Sequence, residues 1–249
     1  MNDGNTGCRI KICGLSRIRD IEAVNRVRPD YIGFVFAQSR RQVGATWAAA
    51  LRRALDSRIP AVGVFVNAPV AEVVRLADSG AIQAIQLHGD EDEAYIRELK
   101  GRSSAPVIKA VRVRGGEDIL RAERLPCDYL LLDTYTKGQY GGSGRVFDWG
   151  LIPPLKKPFF LAGGICLENV PEALACRPYC LDVSSAVETE GRKDPEKIRR
   201  MVEAVRQGGR DTDGARGRRA VFNQKQDKGV STCQKENLGF TAGSSSRKR

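Results

Sequence analysis

Cys13 closes a short β-rich run, Arg9–Cys13, that places a thiol close to basic side chains. Residues two apart in a strand share a face, so Lys11 lies on the same side as the thiol. A neighbouring cation favours the thiolate over the thiol, which would make Cys13 a proton acceptor. Most cysteines are small buried hydrophobes, so the thiol by itself does not establish a functional role.

Asp133 ends a strongly apolar run and is the second group that could do chemistry. A carboxyl group partly removed from water suits a general acid, whereas the alternative is a helix cap or a loop ion pair. A thiolate base and a carboxylic acid facing one another can move protons without help. The chain has one histidine, no nucleotide fingerprint and no metal-ligand spacing, so we expect neither a metal nor an organic cofactor.

The elements that must position these groups repeat eight times between residues 8 and 206, each a short apolar run followed by a helical pattern. Runs that are apolar throughout are typical of parallel strands covered on both faces. Eight units predict a single (β/α)8 TIM barrel, with a doubly wound open sheet as the alternative. The strands are predicted at 8–13, 30–36, 59–66, 83–88, 106–111, 128–133, 158–162 and 179–184. The helices are predicted at 17–27, 45–56, 69–79, 91–100, 116–124, 148–156, 167–175 and 194–206.

Two loops at the end of this barrel have the composition of an anion site. Gly163-Gly164 follows the seventh strand, and Ser184-Ser185 follows the eighth. Glycines let backbone N–H groups approach a phosphate, and hydroxyls add donors. Because phosphate sites of TIM barrels usually lie after strands seven and eight, we predict phosphate binding there.

Composition divides the chain into a patterned region and a basic tail. Residues 1–7 are expected to be flexible, 8–206 to form the barrel and 207–249 to be disordered. The last segment has ten Lys/Arg against four Asp/Glu, so it carries +6 of the net charge of +11. We therefore expect nucleic acid to bind only non-specifically through the tail. No apolar run approaches the ~20 residues of a membrane span, and the seven scattered cysteines suit a reducing, cytoplasmic setting.

Motifs along the whole patterned region resemble those of the phosphoribosylanthranilate isomerases of tryptophan biosynthesis. The resemblance runs in order from about residue 8 to 206 and leaves the tail without a counterpart. Ala186 departs from it, standing where the family usually has glycine. The matching stretches are Lys11–Gly14, Gly33–Phe36 with Ser39–Arg41, Val62–Asn67, Gln86–Gly89, Val107–Val111, Leu132–Thr134, Tyr140–Gly144, Phe147–Trp149, Ala162–Gly164 and Asp182–Ser185.

The resemblance implies a cofactor-independent Amadori rearrangement of a small phosphosugar, N-(5-phosphoribosyl)anthranilate. Asp133 matches the general acid that protonates the furanose oxygen, and Cys13 matches the base that removes the C2′ proton. Arg41 matches the residue that receives the anthranilate carboxylate, an anion that suits a guanidinium fork. Gly164 and Ser185 lie in the matching phosphate loops. The run 141–144 is interpreted as a lid that excludes water.

Four further residues are secondary candidates. Lys11, Lys109 and Asp182 are interpreted as an internal charge network of the barrel that also acts on Cys13. His88 lies at the same rim, although a single histidine is more often structural.

Two other functions stay open at this point. One is an aldose–ketose isomerase of the histidine-pathway type, a family that typically has aspartate where this chain has Cys13. The other is a non-catalytic, basic nucleic-acid-binding protein. The sequence does not indicate the oligomeric state.

Overall fold

A computed structural model of the chain shows a closed barrel of eight parallel strands in chain order, as the sequence predicts. The structure describes residues 7–134 and 147–214, with side chains through Gly209. The predicted lid at 141–144, residues 1–6 and the tail from 215 lie outside the described residues. The barrel strands are β1 (Arg9–Cys13), β2 (Tyr31–Val35), β3 (Ala61–Phe65), β4 (Ala84–Leu87), β5 (Val107–Val113), β6 (Tyr129–Thr134), β7 (Phe159–Leu161) and β8 (Cys180–Val183). The helices are α1 (Ile18–Val27), α2 (Ala45–Ala54), α3 (Val70–Asp78), α4 (Glu93–Arg102), α5 (Gly116–Glu123), α6 (Val170–Ala175) and α7 (Pro195–Gly214).

The first strand closes the barrel by pairing on both of its edges. Lys11 is level with Tyr31 of β2 on one side and with Asp182 of β8 on the other. Alternate residues of each strand then point inward or outward. The inward apolar side chains form a separate interior cluster of Val62, Ala84, Ile108, Ala110, Leu131, Phe160, Ala162 and Cys180.

The helices cover the outside of the barrel because each carries one apolar stripe. In α7, Ile198, Met201, Val202 and Val205 follow helical spacing and are fully buried, as their pattern predicts. This helix begins where the Asp194 carboxylate accepts hydrogen bonds from two backbone N–H groups of the first turn. The outer layer therefore fixes the strands, and the strand ends fix the site.

Two local predictions were wrong, and one short hairpin was missed. The helix predicted at 148–156 is only a 3-10 turn, Trp149–Leu151, because Pro153 and Pro154 cannot continue a helix. Helix α7 runs to Gly214, so residues 207–214, predicted as disordered, are helical. A short antiparallel hairpin, β9 (Glu188–Thr189) and β10 (Arg192–Lys193), follows β8 and was not predicted.

The longest described helix, α7, is strongly charged. Over the parts of the chain that the structure describes, no helix has the length and apolar character required to cross a membrane.

Candidate active site

A cavity of about 590 Å³ opens at the carboxyl ends of the barrel strands. It brings together every predicted site residue except Lys11 and Lys109, which are buried and do not line it. The residues that line it are Cys13, Val35, Ala37, Gln38, Ser39, Arg41, Val64, Val66, Gln86, His88, Asp133, Ala162, Gly163, Gly164, Ile165, Asp182, Ser184 and Ser185. The strand-end rule thus predicted from the sequence which residues share this cavity.

Cys13 is buried at the end of β1, next to the backbone of β2. A Cβ on Gly33 would lie 2.7 Å from the Cys13 Sγ, so only glycine leaves room for the thiol. Burial raises the pKa of Cys13, and the nearby cations Lys11 and Lys193 lower it by less. The sequence prediction that a cation favours the thiolate is correct in direction, but desolvation outweighs it, so the resting group is the thiol.

Lys11 and Asp182 form a buried ion pair beneath the thiol, with the Lys11 Nζ 3.0 and 2.8 Å from the two carboxylate oxygens. The predicted internal pair is therefore present. The inclusion of Lys109 was wrong, because its side chain leaves the barrel interior and its Nζ lies 2.8 Å from Glu91 Oε2. Lys109 alternates with Ile108 and Ala110, which belong to the interior cluster, so it faces the helices instead.

Asp133 lies on the opposite wall and is 4% exposed. Its Oδ1 accepts a hydrogen bond of 2.8 Å from the backbone N–H of Thr134. Its Oδ2 is 3.2 Å from Nε2 of His88, and Nδ1 of that ring is 2.8 Å from Nε2 of Gln86. The predicted secondary candidate His88 thus contacts the predicted acid directly.

The two predicted anion loops border this acid and base. Gly163 and Gly164 have φ of +78° and +70°, a left-handed conformation that strongly favours glycine. A Cβ on Gly163 would also lie 2.6 Å from the Asp133 Oδ1. The Ser184 hydroxyl donates to the Cys13 carbonyl over 3.1 Å, so this side chain anchors β8 to β1.

Arg41 reaches the cavity from the loop after β2 and is held by a carboxylate of the β9–β10 hairpin. Its Nε and one terminal nitrogen lie 2.6 and 2.9 Å from the two carboxylate oxygens of Glu188. The same carboxylate accepts from Lys193 over 2.9 Å. Burial raises the pKa of Glu188, but Arg41 and Lys193 together lower it by more, so the pKa lies below its ordinary value. The Arg41 guanidinium, predicted to bind a substrate carboxylate, is already held in one orientation by the Glu188 carboxylate.

Comparison with known proteins agrees with this geometry. The family model for N-(5′-phosphoribosyl)anthranilate isomerase matches residues 10–204. The chain belongs to this family. An isomerase of that name from Endomicrobium trichonymphae is 47% identical over 199 residues, which cover 80% of this chain and 98% of the relative. One from Lachnoclostridium phytofermentans is 46% identical over 212 residues, covering 79% and 97%.

Solved isomerases of the family share the fold. The phosphoribosyl anthranilate isomerase of Thermotoga maritima superposes with a TM-score of 0.73 at 34% identity, covering 80% of this chain and 99% of that one. A second solved isomerase, in complex with reduced 1-(o-carboxyphenylamino)-1-deoxyribulose 5-phosphate, gives 0.68 at 31% identity and the same coverage. The match spans the barrel and ends before the tail.

Three residues of this isomerase barrel were missed from the sequence: Gln86, Glu188 and Lys193. The spacing of Gln86 and His88, two apart at the end of β4, could have placed both in the cavity. Glu188 and Lys193 carried no such signal. They lie on a hairpin that the pattern did not predict, and Glu188 contacts Arg41, which is 147 residues away in the sequence.

The described residues contain no group of three or more histidine, cysteine, aspartate or glutamate side chains that could hold a metal ion. A thiol and a carboxyl group that face one cavity can transfer protons to and from a molecule bound between them.

Proposed function

We propose that this chain converts N-(5′-phosphoribosyl)anthranilate into 1-(2-carboxyphenylamino)-1-deoxyribulose 5-phosphate in tryptophan biosynthesis, with Asp133 as general acid and Cys13 as general base. Membership of the isomerase family supports the reaction. Cys13 and Asp133 line opposite walls of the same cavity, and this placement supports their roles.

In the first step, Asp133 donates its proton to the furanose ring oxygen. The C1′–O bond breaks, the anilino nitrogen supplies the electron pair, and an iminium ion forms. The Asp133 carboxylate that remains accepts hydrogen bonds from Thr134 and His88, which stabilise the negative charge as it develops.

In the second step, Cys13 first loses its thiol proton to solvent, and the resulting thiolate takes the proton from C2′. The C2′–H electrons form the enolamine double bond and neutralise the iminium, and tautomerisation then gives the ketone. The raised pKa of Cys13 makes its thiolate a stronger base, while Lys11 and Lys193 keep ionisation within reach.

The two ends of the substrate are bound on either side of these groups. The loops at Gly163–Gly164 and Ser184–Ser185 receive the phosphate with backbone N–H groups. Arg41 receives the anthranilate carboxylate. A guanidinium has five N–H donors, so the pair with Glu188 leaves donors free for a second carboxylate.

The single observation that carries this proposal is that Cys13, Asp133 and both anion loops line the same cavity. The test is turnover of freshly generated phosphoribosylanthranilate, followed by loss of anthranilate-adduct fluorescence. Asp133→Asn keeps the shape of the side chain but removes the acidic proton, so kcat should fall by ~10²–10⁴. Asp128→Asn, at an exposed ion pair outside the cavity, is the matched control. Near-normal turnover of Asp133→Asn excludes the assigned role.

A further inference from the structure

Gln86 is a buried amide that the reaction steps above leave without a role. It is 1% exposed, yet it lines the cavity. Its Nε2 lies 2.8 Å from His88 Nδ1, and its Oε1 has no hydrogen-bond partner among the described residues. An amide buried in this way, next to the only histidine in the chain, indicates a function for the contact.

The contact determines where the histidine carries its proton. In this orientation the amide nitrogen faces the ring, and an amide nitrogen donates hydrogen bonds and cannot accept them, so Nδ1 of His88 is the acceptor and carries no proton. The ring proton then lies on Nε2, which faces the Asp133 Oδ2 at 3.2 Å. His88 is therefore a donor to the general acid, and Gln86 is the group that makes it one.

We propose that Gln86 is a positioning residue that holds His88 in the Nε2–H tautomer, so that His88 orients and stabilises the carboxylate of Asp133. This inference rests on the proposed role of Asp133. When that residue gives up its proton, the Nε2–H group is already aimed at the new charge. With the proton on Nδ1 instead, a lone pair would face the carboxylate and oppose the same step.

The single histidine makes the tautomer directly measurable in the whole protein. Long-range ¹H–¹⁵N spectra of protein labelled at histidine distinguish protonation at Nε2 from protonation at Nδ1 without interference from other rings. The wild-type chain should show the Nε2–H form in the absence of substrate. Predominance of the Nδ1–H form would overturn the proposal, whatever the catalytic activity.

Two substitutions test the part played by Gln86. Gln86→Leu removes the donor and should abolish the tautomer preference. Gln86→Glu keeps the shape but offers a carboxylate to Nδ1, so the proton should move to Nδ1. Both should lower kcat by ~10–100-fold, the factor for one hydrogen bond to a charged group, with a smaller change in KM. A substrate contact made by Oε1 alone would instead raise KM in Gln86→Leu and spare Gln86→Glu.

Gln83→Leu serves as the control. Gln83 accepts a hydrogen bond from the Ala61 N–H of β3, donates one to the Gly80 carbonyl and lies outside the cavity, so this change should affect stability but neither the tautomer nor kcat. An unchanged His88 spectrum in both Gln86 variants, or unchanged kcat despite a changed spectrum, would refute the role of Gln86. The spectrum does not depend on turnover, so an error in the proposed reaction and an error in this inference give different results.

Discussion

The two walls of the cavity hold their reactive groups by different means. Cys13 has formal charges around it: the Lys11–Asp182 ion pair beneath and the Lys193 ammonium group to one side. Burial alone would keep this thiol protonated, and only a nearby positive charge brings the thiolate within reach.

Asp133, on the other wall, is held by hydrogen bonds from the Thr134 backbone and the His88 ring. In the tautomer proposed above, neither donor carries a formal charge. Such contacts orient the carboxyl group and stabilise the negative charge that forms when its proton leaves. Nearby charges therefore adjust the pKa of Cys13, whereas hydrogen bonds from neutral groups position Asp133.

The largest expected effect comes from removing the base. Cys13→Ala should lower kcat by ~10²–10⁴, the usual contribution of one general base, measured by loss of substrate fluorescence. Cys180→Ala is the matched control, since this second buried thiol lies in the interior cluster and does not line the cavity. A rate close to wild type in Cys13→Ala would remove the thiol from the mechanism.

The next effect tests the charges beneath the thiol. Asp182→Asn leaves Lys11, whose side chain is fully buried, without its counter-charge and should cost about 3–5 kcal/mol in the free energy of unfolding, measured by urea denaturation.

The double variant Lys11→Met/Asp182→Leu should recover most of that loss, because it removes both charges together. Equal destabilisation of the single and double variants would show that the pair does not act as a charge pair.

The third prediction concerns the ionisation of Cys13. Burial raises its pKa, so the thiol dominates at neutral pH, and alkylation by iodoacetamide should speed up about tenfold per pH unit up to that pKa. Peptide mass spectrometry locates the modified residue. Lys193→Met removes a cation that lowers the pKa of Cys13, so the rate at a given pH should fall further. Alkylation that is insensitive to pH near neutrality would mean that the thiolate already predominates.

The smallest effect is expected at the end of the chain, away from both walls. Deletion of 215–249 should leave turnover and melting temperature unchanged. Deletion of 207–249 should lower the melting temperature while kcat stays the same, because it shortens α7, where Gly208 packs so closely on Leu174 that a Cβ there would clash. Loss of kcat on removing 215–249 alone would assign the tail a role in catalysis.

The strands were predictable because their signal is local. All eight apolar runs became barrel strands, and residues at the ends of most of them, among them Cys13 and Asp133, line one cavity. The helix predictions were wrong where a local signal was misread. Pro153 and Pro154 should have stopped the predicted helix 148–156. The polar composition after residue 206 predicted an end to the last helix, but α7 continues through Gly208, which packs on Leu174.

The contacts of the site could not be predicted in the same way, because they join distant parts of the chain. Nothing close to Arg41 in sequence indicates that Glu188 holds it. The balance between burial and cations at Cys13 also depends on depth, which a sequence pattern does not measure. The chemical type of the site residues and their positions at strand ends could be predicted from the sequence. Their side-chain contacts and ionisation states depend on the three-dimensional fold.

The pairing of β1 with β8 has a consequence for how the protein is made. Lys11 leaves the ribosome early, yet Asp182, its counter-charge, is 171 residues further along the chain. Until that last strand is synthesised, the first strand has an open edge and a lysine with no partner at its centre. Nascent chains that stop short of β8 should therefore remain substrates for chaperones and proteases, and the catalytic thiol acquires its electrostatic setting only when synthesis is almost complete.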